Sequence, residues 1–183
     1  LVGSEMCIRD SYTTLALWVG GIVLVALMKV KVDYEDDEFK DATEHQKYIG
    51  RALLFLAMGQ LQALVVVLGD LYILKIDCTH PFMLWLAAAI TSFVFTLFIY
   101  TLVLTFGDLG KAIAVVMIVL QIAGSGGTYP IELLPEFFQN VYLYFPFPYA
   151  INAMREAISG LYQCDYAVFL VKLCAYAVIS LIL

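Results

Sequence analysis

Apolar residues in this chain come in blocks that no single charge interrupts for long. "YTTLALWVGGIVLVALM" (Tyr12–Met28), "ALLFLAMGQLQALVVVLGDLYIL" (Ala52–Leu74) and "FMLWLAAAITSFVFTLFIYTLVLTF" (Phe82–Phe106) are the longest internal ones. "KAIAVVMIVLQIAG" (Lys111–Gly124) and "YAVFLVKLCAYAVISLIL" (Tyr166–Leu183) follow. A run of roughly 18 or more apolar residues with few charges has the length of a bilayer-crossing helix. Buried helices of a soluble protein would each show a polar stripe at helical spacing, and Phe82–Phe106 has none. The pattern predicts spans over 12–30, 52–74, 82–106, 109–124 and 166–183, joined by a polar loop (31–51) and an irregular segment (125–165). The fold class expected is an all-α integral membrane protein of about five spans.

Composition sharpens this. Of 183 residues, 63% are hydrophobic and 14% charged, against roughly a quarter charged in soluble domains. The mean hydropathy is +0.90. The net charge of -6 and the absence of a basic cluster exclude a nucleic-acid partner. The four cysteines lack metal-ligand spacing. No G-x-x-x-x-G-K-[ST] loop and no nucleophile or metal constellation is present, so neither a cofactor nor an enzymatic role is expected of the chain itself. Lipid is the surrounding partner.

Both ends look cut. Leu1–Ser11, "LVGSEMCIRDS", is polar and patternless, and it matches the in-frame translation of a transposase sequencing adaptor. It is set apart as a scar, leaving 12–183 as the membrane domain. After Lys172 only eleven residues remain, at 1.5 Å each about half of a 30 Å hydrocarbon core, so the last span is expected to continue.

Lys and Arg set orientation. Lys29, Lys31, Lys40, Lys47, Arg51 and Lys111 fall on one side, against Lys75, Arg155 and Lys172 on the other. That excess predicts a cytoplasmic 31–51 loop and an extracytoplasmic 125–165 segment. In the latter, Gly124, Gly126 and Gly127 break the fourth span and form a candidate hinge. Pro130 and Pro135 suit the first turns of short helices, and Tyr142, Tyr144, Phe145, Phe147 and Tyr149 suit the headgroup level. "PYAINAMREAISG" reads as an amphipathic helix. Ala150, Ile151, Met154, Ala157 and Ile158 form its apolar face, Asn152, Arg155, Glu156 and Ser159 its wet face, and Gly160 its cap. Two short helices lying on or dipping into the outer leaflet are expected.

"LQIAGSGGTYPIELLPEFFQNVYLYFPFPYAINAMREAISGLY", "LALWVGG", "HQKYIGRALLFLAMGQLQALVVVLGD" and "FGDLGKAIAVVMIVLQ" resemble the C-terminal membrane region of the phage-infection-protein (YhgE/Pip) family. The resemblance covers nearly all of Tyr12–Leu183. It implies a relative of type-2 ABC exporter permeases, with six spans, a cytoplasmic coupling loop after the second and short extracellular helices before the last. This chain would hold the last five spans, with one span and a large extracellular domain upstream. It further implies a bacterial, Gram-positive plasma membrane, a homodimer or permease partner, and a separate cytoplasmic ATPase.

The candidate coupling loop carries Asp33, Glu35, Asp36, Asp37, Glu38, Asp41 and Glu44, an acidic face suited to a basic partner and equally to solvent. "FKDATEHQKYIGRALL" is expected to form a short helix leading into the second span. Gln60, Gln62 and Gln121 are candidate path-lining residues, since polar groups within spans face a cavity or a partner helix. Gln60 and Gln62 lie roughly 200° apart on a helix, so they cannot share a face. Asp70 reads as an interfacial anchor, and Thr91, Ser92, Thr96, Thr101 and Thr105 as bonding their own helix backbone. Cys78 and Cys164 fall on the extracytoplasmic side, where a disulfide is permitted. Two functions stay open: an exporter permease driven by an ATPase, and a membrane anchor for an extracellular domain of the phage-receptor or type VII secretion kind.

Overall fold

The computed structural model describes residues 2–28, 44–76, 78–124, 136, 145–160 and 165–182. Every element among them is helical. In chain order they are α1 (Val2–Leu27), α2 (Glu44–Leu68) closing in a π-turn (Gly69–Ile73), α3 (Pro81–Phe106), α4 (Asp108–Gly124), α5 (Phe147–Ser159) and α6 (Asp165–Ile182).

α3 is the axis of the bundle. It carries apolar residues all round, starts with Pro81 at a position where a missing N–H costs nothing, and packs against α1, α2, α4, α5 and α6. The other helices bury one side and expose the other. Leu53, Leu61, Val65, Tyr72 and Ile73 of α2, Val115, Val116 and Val119 of α4, and Val168, Val171 and Val178 of α6 all face outward. A water-soluble protein would place charge there. Two stretches, Tyr48–Ile73 and Pro81–Phe106, are long and apolar enough to cross a bilayer, while Ser11–Leu27 is apolar but shorter.

Trp18 joins four helices. Its ring meets Phe95 of α3 edge-on at 4.8 Å and Phe147 of α5 at 5.7 Å, and Phe95 and Phe147 stack on one another at 5.4 Å. Its indole N–H donates to the Ala114 carbonyl of α4 at 3.2 Å. A buried tryptophan thus gains its apolar contacts while its polar tip finds a partner.

The hairpin between α3 and α4 is tight because of two glycines. Gly107 holds a left-handed conformation (φ 62°) that side chains disfavour. Gly110 lies so close to the end of α3 that a Cβ there would collide with the Leu102 carbonyl.

Several boundaries and placements differ from those expected. α1 runs back to Val2, through the stretch set apart in the sequence, with side chains described from Ser11. α2 starts at Glu44, so the short leading helix and the second span form one continuous rod. α5 buries the apolar face expected of it, but against protein: Phe147, Ala150, Ala153, Met154 and Ala157 are each at most 1% exposed, and α5 packs against α1, α3 and α6. Asn152, Arg155 and Glu156 on the other face are half-buried. Phe147, expected at headgroup level, sits in the core with Trp18. Helical periodicity reports one apolar face, and a protein groove satisfies that face as well as lipid does. Gly160, with φ 109°, ends α5, its N–H donating to the Glu156 carbonyl at 3.1 Å.

Candidate functional site

At the base of α2 the described chain emerges from the acidic segment. Tyr48 and Thr101 of α3 share a hydroxyl–hydroxyl bond of 3.0 Å, and the Tyr100 hydroxyl donates to the Tyr48 carbonyl at 3.4 Å. The Tyr48 and Tyr100 rings lie 5.4 Å apart, and Phe55 closes on Tyr100 at 5.1 Å. This aromatic clasp ties the start of α2 to the buried helix. Asp33, Glu35, Asp36, Asp37, Glu38 and Asp41 lie outside the described residues. Glu44 opens α2, and its side chain is likewise outside the description.

Midway along, the seam of α2 with its neighbours is closed by polar groups that find backbone partners. The Gln60 amide donates to the Ala89 carbonyl of α3 at 3.0 Å. The Gln62 amide donates to the Ala16 carbonyl of α1 at 2.8 Å, lying over Gly20. The Ser92 hydroxyl donates to the Gly59 carbonyl at 2.7 Å. Gly59 lets the helices approach that closely: a Cβ there would sit 2.6 Å from the Thr96 hydroxyl. Small residues at close crossings with interhelical hydrogen bonds are how helices associate where lipid supplies no hydrophobic drive. The two glutamines therefore hold α2 to two different helices, each through one amide donor.

At the opposite end of the bundle the polar groups are deeper. Asp70 is not an exposed anchor. It is 7% exposed, lies within the π-turn and accepts a 2.8 Å hydrogen bond from the Thr13 hydroxyl of α1. The π-turn adds one residue to the helix repeat and turns Asp70 inward, and such turns recur at functional sites. Thr14 donates to the Met154 sulfur at 3.4 Å. α5 is further fastened by the Cys78 thiol on the Ala157 carbonyl (3.4 Å) and by the Thr79 hydroxyl on the Ile158 carbonyl (3.1 Å). The Tyr166 hydroxyl of α6 donates to the Met83 carbonyl at 2.7 Å, and Lys172 stands 5.4 Å over the Tyr149 ring. Cys164 lies outside the described residues, so its pairing with Cys78 is not part of this geometry. Among the candidate hinge residues, Gly124 ends α4, and Gly126 and Gly127 lie outside the described residues.

Gln121 of α4 is 1% exposed, and neither end of its amide has a partner among the described residues. The hydroxyls of Thr91 and Thr96 on α3 are likewise buried and unpartnered. This corrects the expectation that the α3 hydroxyls bond their own backbone: of that group only Thr105 does so, to Thr101 at 2.9 Å. Ser92 and Thr101 reach across to α2 instead. Thr13, Thr14, Trp18, Tyr48 and Tyr100 went unmarked as site residues in the sequence. For Thr13, Thr14, Trp18 and Tyr100 the only signal there is a polar or half-polar side chain inside an apolar run, and Tyr48, in the polar segment "HQKYIGR", carries none. Among the described residues, no group of three or more His, Cys, Asp or Glu is placed to hold a metal ion.

An all-helical bundle whose flanks are apolar and whose internal crossings are made by glycine and polar–backbone bonds is the build of a helical membrane protein. A family profile described as "ABC-2 type transporter" matches residues 45–158, and the chain belongs to that family. It is also similar to a protein of Bacillus subtilis (strain 168) described as "Uncharacterized protein YhgE", at 31% identity over 147 residues. That match takes in 80% of this chain but 18% of the relative, so the chain spans less than a fifth of that relative's length. No solved structure matches.

Proposed function

We propose that the chain is the membrane-spanning permease part of an ABC-type exporter in a bacterial plasma membrane, crossing it about five times. It moves its substrate with energy from a separate ATPase that docks on the acidic segment before α2. The observation that carries this reading is the match of residues 45–158 to the ABC-2 type transporter family. The clasp of Tyr48 with Tyr100 and Thr101 supports it, because it gives a push on the 31–51 segment a rigid route into α3, which touches the other helices. The acidic residues Asp33, Glu35, Asp36, Asp37, Glu38, Asp41 and Glu44 supply charge for a basic surface on that ATPase. A pair of such permeases, as a homodimer or with a second permease, completes the assembly. No catalytic role falls to this chain.

A second reading is favoured by one fact: less than a fifth of the Bacillus relative is matched. On this reading the bundle anchors a large extracytoplasmic domain that acts as a phage receptor or secretion accessory. The two readings part on one experiment. The protein is purified with the P-loop ATPase encoded nearest its gene, and ATP hydrolysis by the complex is measured. The permease reading expects a stoichiometric complex, lost when the acidic residues of 33–41 are changed to Asn and Gln. Absence of any such complex with the intact acidic segment supports the anchor.

A further inference from the structure

Gln121 stands apart from the other polar groups inside the bundle. Register shows what surrounds it. Gly110 packs against Leu102, and α4 runs back along α3 from that point. Gln121 lies as many residues beyond Gly110 as Thr91 lies before Leu102, so the two fall level on facing helices. Trp18 packs on Phe95, and Thr14 precedes Trp18 by the same interval as Thr91 precedes Phe95. Three polar side chains from α1, α3 and α4 thus meet one level of the bundle, beside Met154 of α5. All three are at most 1% exposed, and two of them, Gln121 and Thr91, lack a partner among the described residues.

A buried amide with both ends unanswered is unfavourable compared with an apolar side chain of the same shape, so its presence calls for a partner that the chain itself does not supply. The chemistry of that partner follows from the donors. The three groups, an amide and two hydroxyls, are uncharged. An ion would find no countercharge among them. An amide offers a donor at one end and an acceptor at the other, and a hydroxyl, whether of water or of a larger ligand that displaces it, answers both.

We propose that Gln121 and Thr91, with Thr14 beside them, form a binding site for a hydroxyl-bearing ligand, entered at the end of the bundle closed by α5. The inference deepens the permease reading and rests on it for the ligand's being cargo. Two sources supply that chemistry: the sugar or glycerol head of a lipid, and a free polyol.

The test uses the protein in lipid nanodiscs with Cys7, Cys78, Cys164 and Cys174 changed to Ala. Single cysteines are introduced as Gln121→Cys and Thr91→Cys, with Val119→Cys on the outward face of α4 as the lipid-facing reference. A cysteine thiolate attacks a water-soluble methanethiosulfonate, forming a mixed disulfide and releasing methanesulfinate, and thiolates form only where water reaches. Gln121→Cys and Thr91→Cys are expected to react at least about tenfold faster than Val119→Cys. Octyl glucoside or glucose, added below micellar concentration, is expected to slow that reaction. Protection by octyl glucoside alone assigns a lipid-borne hydroxyl head, and protection by glucose assigns a free polyol. Rates equal to that of Val119→Cys, or no protection by either sugar, overturn the site. Should Gln121→Cys fail to fold, the near-isosteric Thr91→Cys decides alone. Failure of the permease reading shows separately, as a missing ATPase complex with labelling and protection unchanged.

Discussion

Gln60 and Gln121 are the same side chain in two apolar helices, and they meet opposite fates. Gln60 reaches across to α3 and donates to the Ala89 carbonyl, one of several bonds that stitch α2 to its neighbours. Gln121 is more deeply buried, and its amide has no described partner. The α1–α2–α3 seam uses polarity as glue: Gln60 and Gln62 each hold a second helix, although the Thr96 hydroxyl against Gly59 has no described partner. The facing surfaces of α3 and α4 keep polar groups in place without using them, at a cost in stability. Folding explains the first arrangement. The other calls for a partner from outside the chain, a bound water or a larger ligand, or for a second arrangement of the helices.

Substitutions can break or sharpen that contrast. Trp18 is where the two regions join, since it touches α3 and α5 and bonds the backbone of α4. Trp18→Ala should cost about 3–5 kcal/mol and should release α5, which limited proteolysis between α4 and α6 would register as faster cleavage. Thr13→Val leaves the buried Asp70 without its described donor and should cost about 2–3 kcal/mol in chemical unfolding. The double variant Thr13→Val with Asp70→Leu should recover most of that loss, because an apolar pair leaves nothing unsatisfied. Gln62→Leu removes one interhelical bond and should cost about 1 kcal/mol, the scale measured for such bonds in membranes. Lys111→Ala, at the hairpin, breaks an exposed 3.0 Å ion pair with Asp108. It should stay within about 0.5 kcal/mol of the parent in the same unfolding assay. A loss of several kcal/mol there would mean that the α3–α4 hairpin depends on charge and not on its two glycines.

How much of this was legible in the sequence depends on what each residue's neighbours had to supply. α3 reads directly, because Phe82–Phe106 has no polar stripe and such a helix belongs at the centre. Gly160 as the end of α5 is a local matter and is found where the chain signals it, while Pro81, read as the last residue of the preceding loop, opens α3 one residue earlier than expected. The placement of α5 is not local. Its periodicity describes a face, and only the groove between α1, α3 and α6 decides that the face goes inward.

The burial of Asp70 is hidden from the sequence for a related reason. Its nearness to Lys75 suggests a wet helix end, while the π-turn that swings it toward Thr13 has no sequence signature. The threonines of α3 fail in the opposite sense. Any threonine in a helix can bond the preceding turn, and Thr91 and Thr96 make no such bond. Gln121 could be singled out from sequence as a polar residue in a span. That Thr91 stands level with it could not, since that depends on the Gly110 contact that sets the register of α3 and α4.

Thermal unfolding of Gln60→Leu and Gln121→Met, measured side by side in lipid nanodiscs, tests the contrast most directly. If polarity holds the seam and is carried unpaired between α3 and α4, Gln60→Leu lowers Tm and Gln121→Met leaves it unchanged or raises it. A fall of similar size in both would contradict the account, and would place Gln121 among the residues that hold the bundle together.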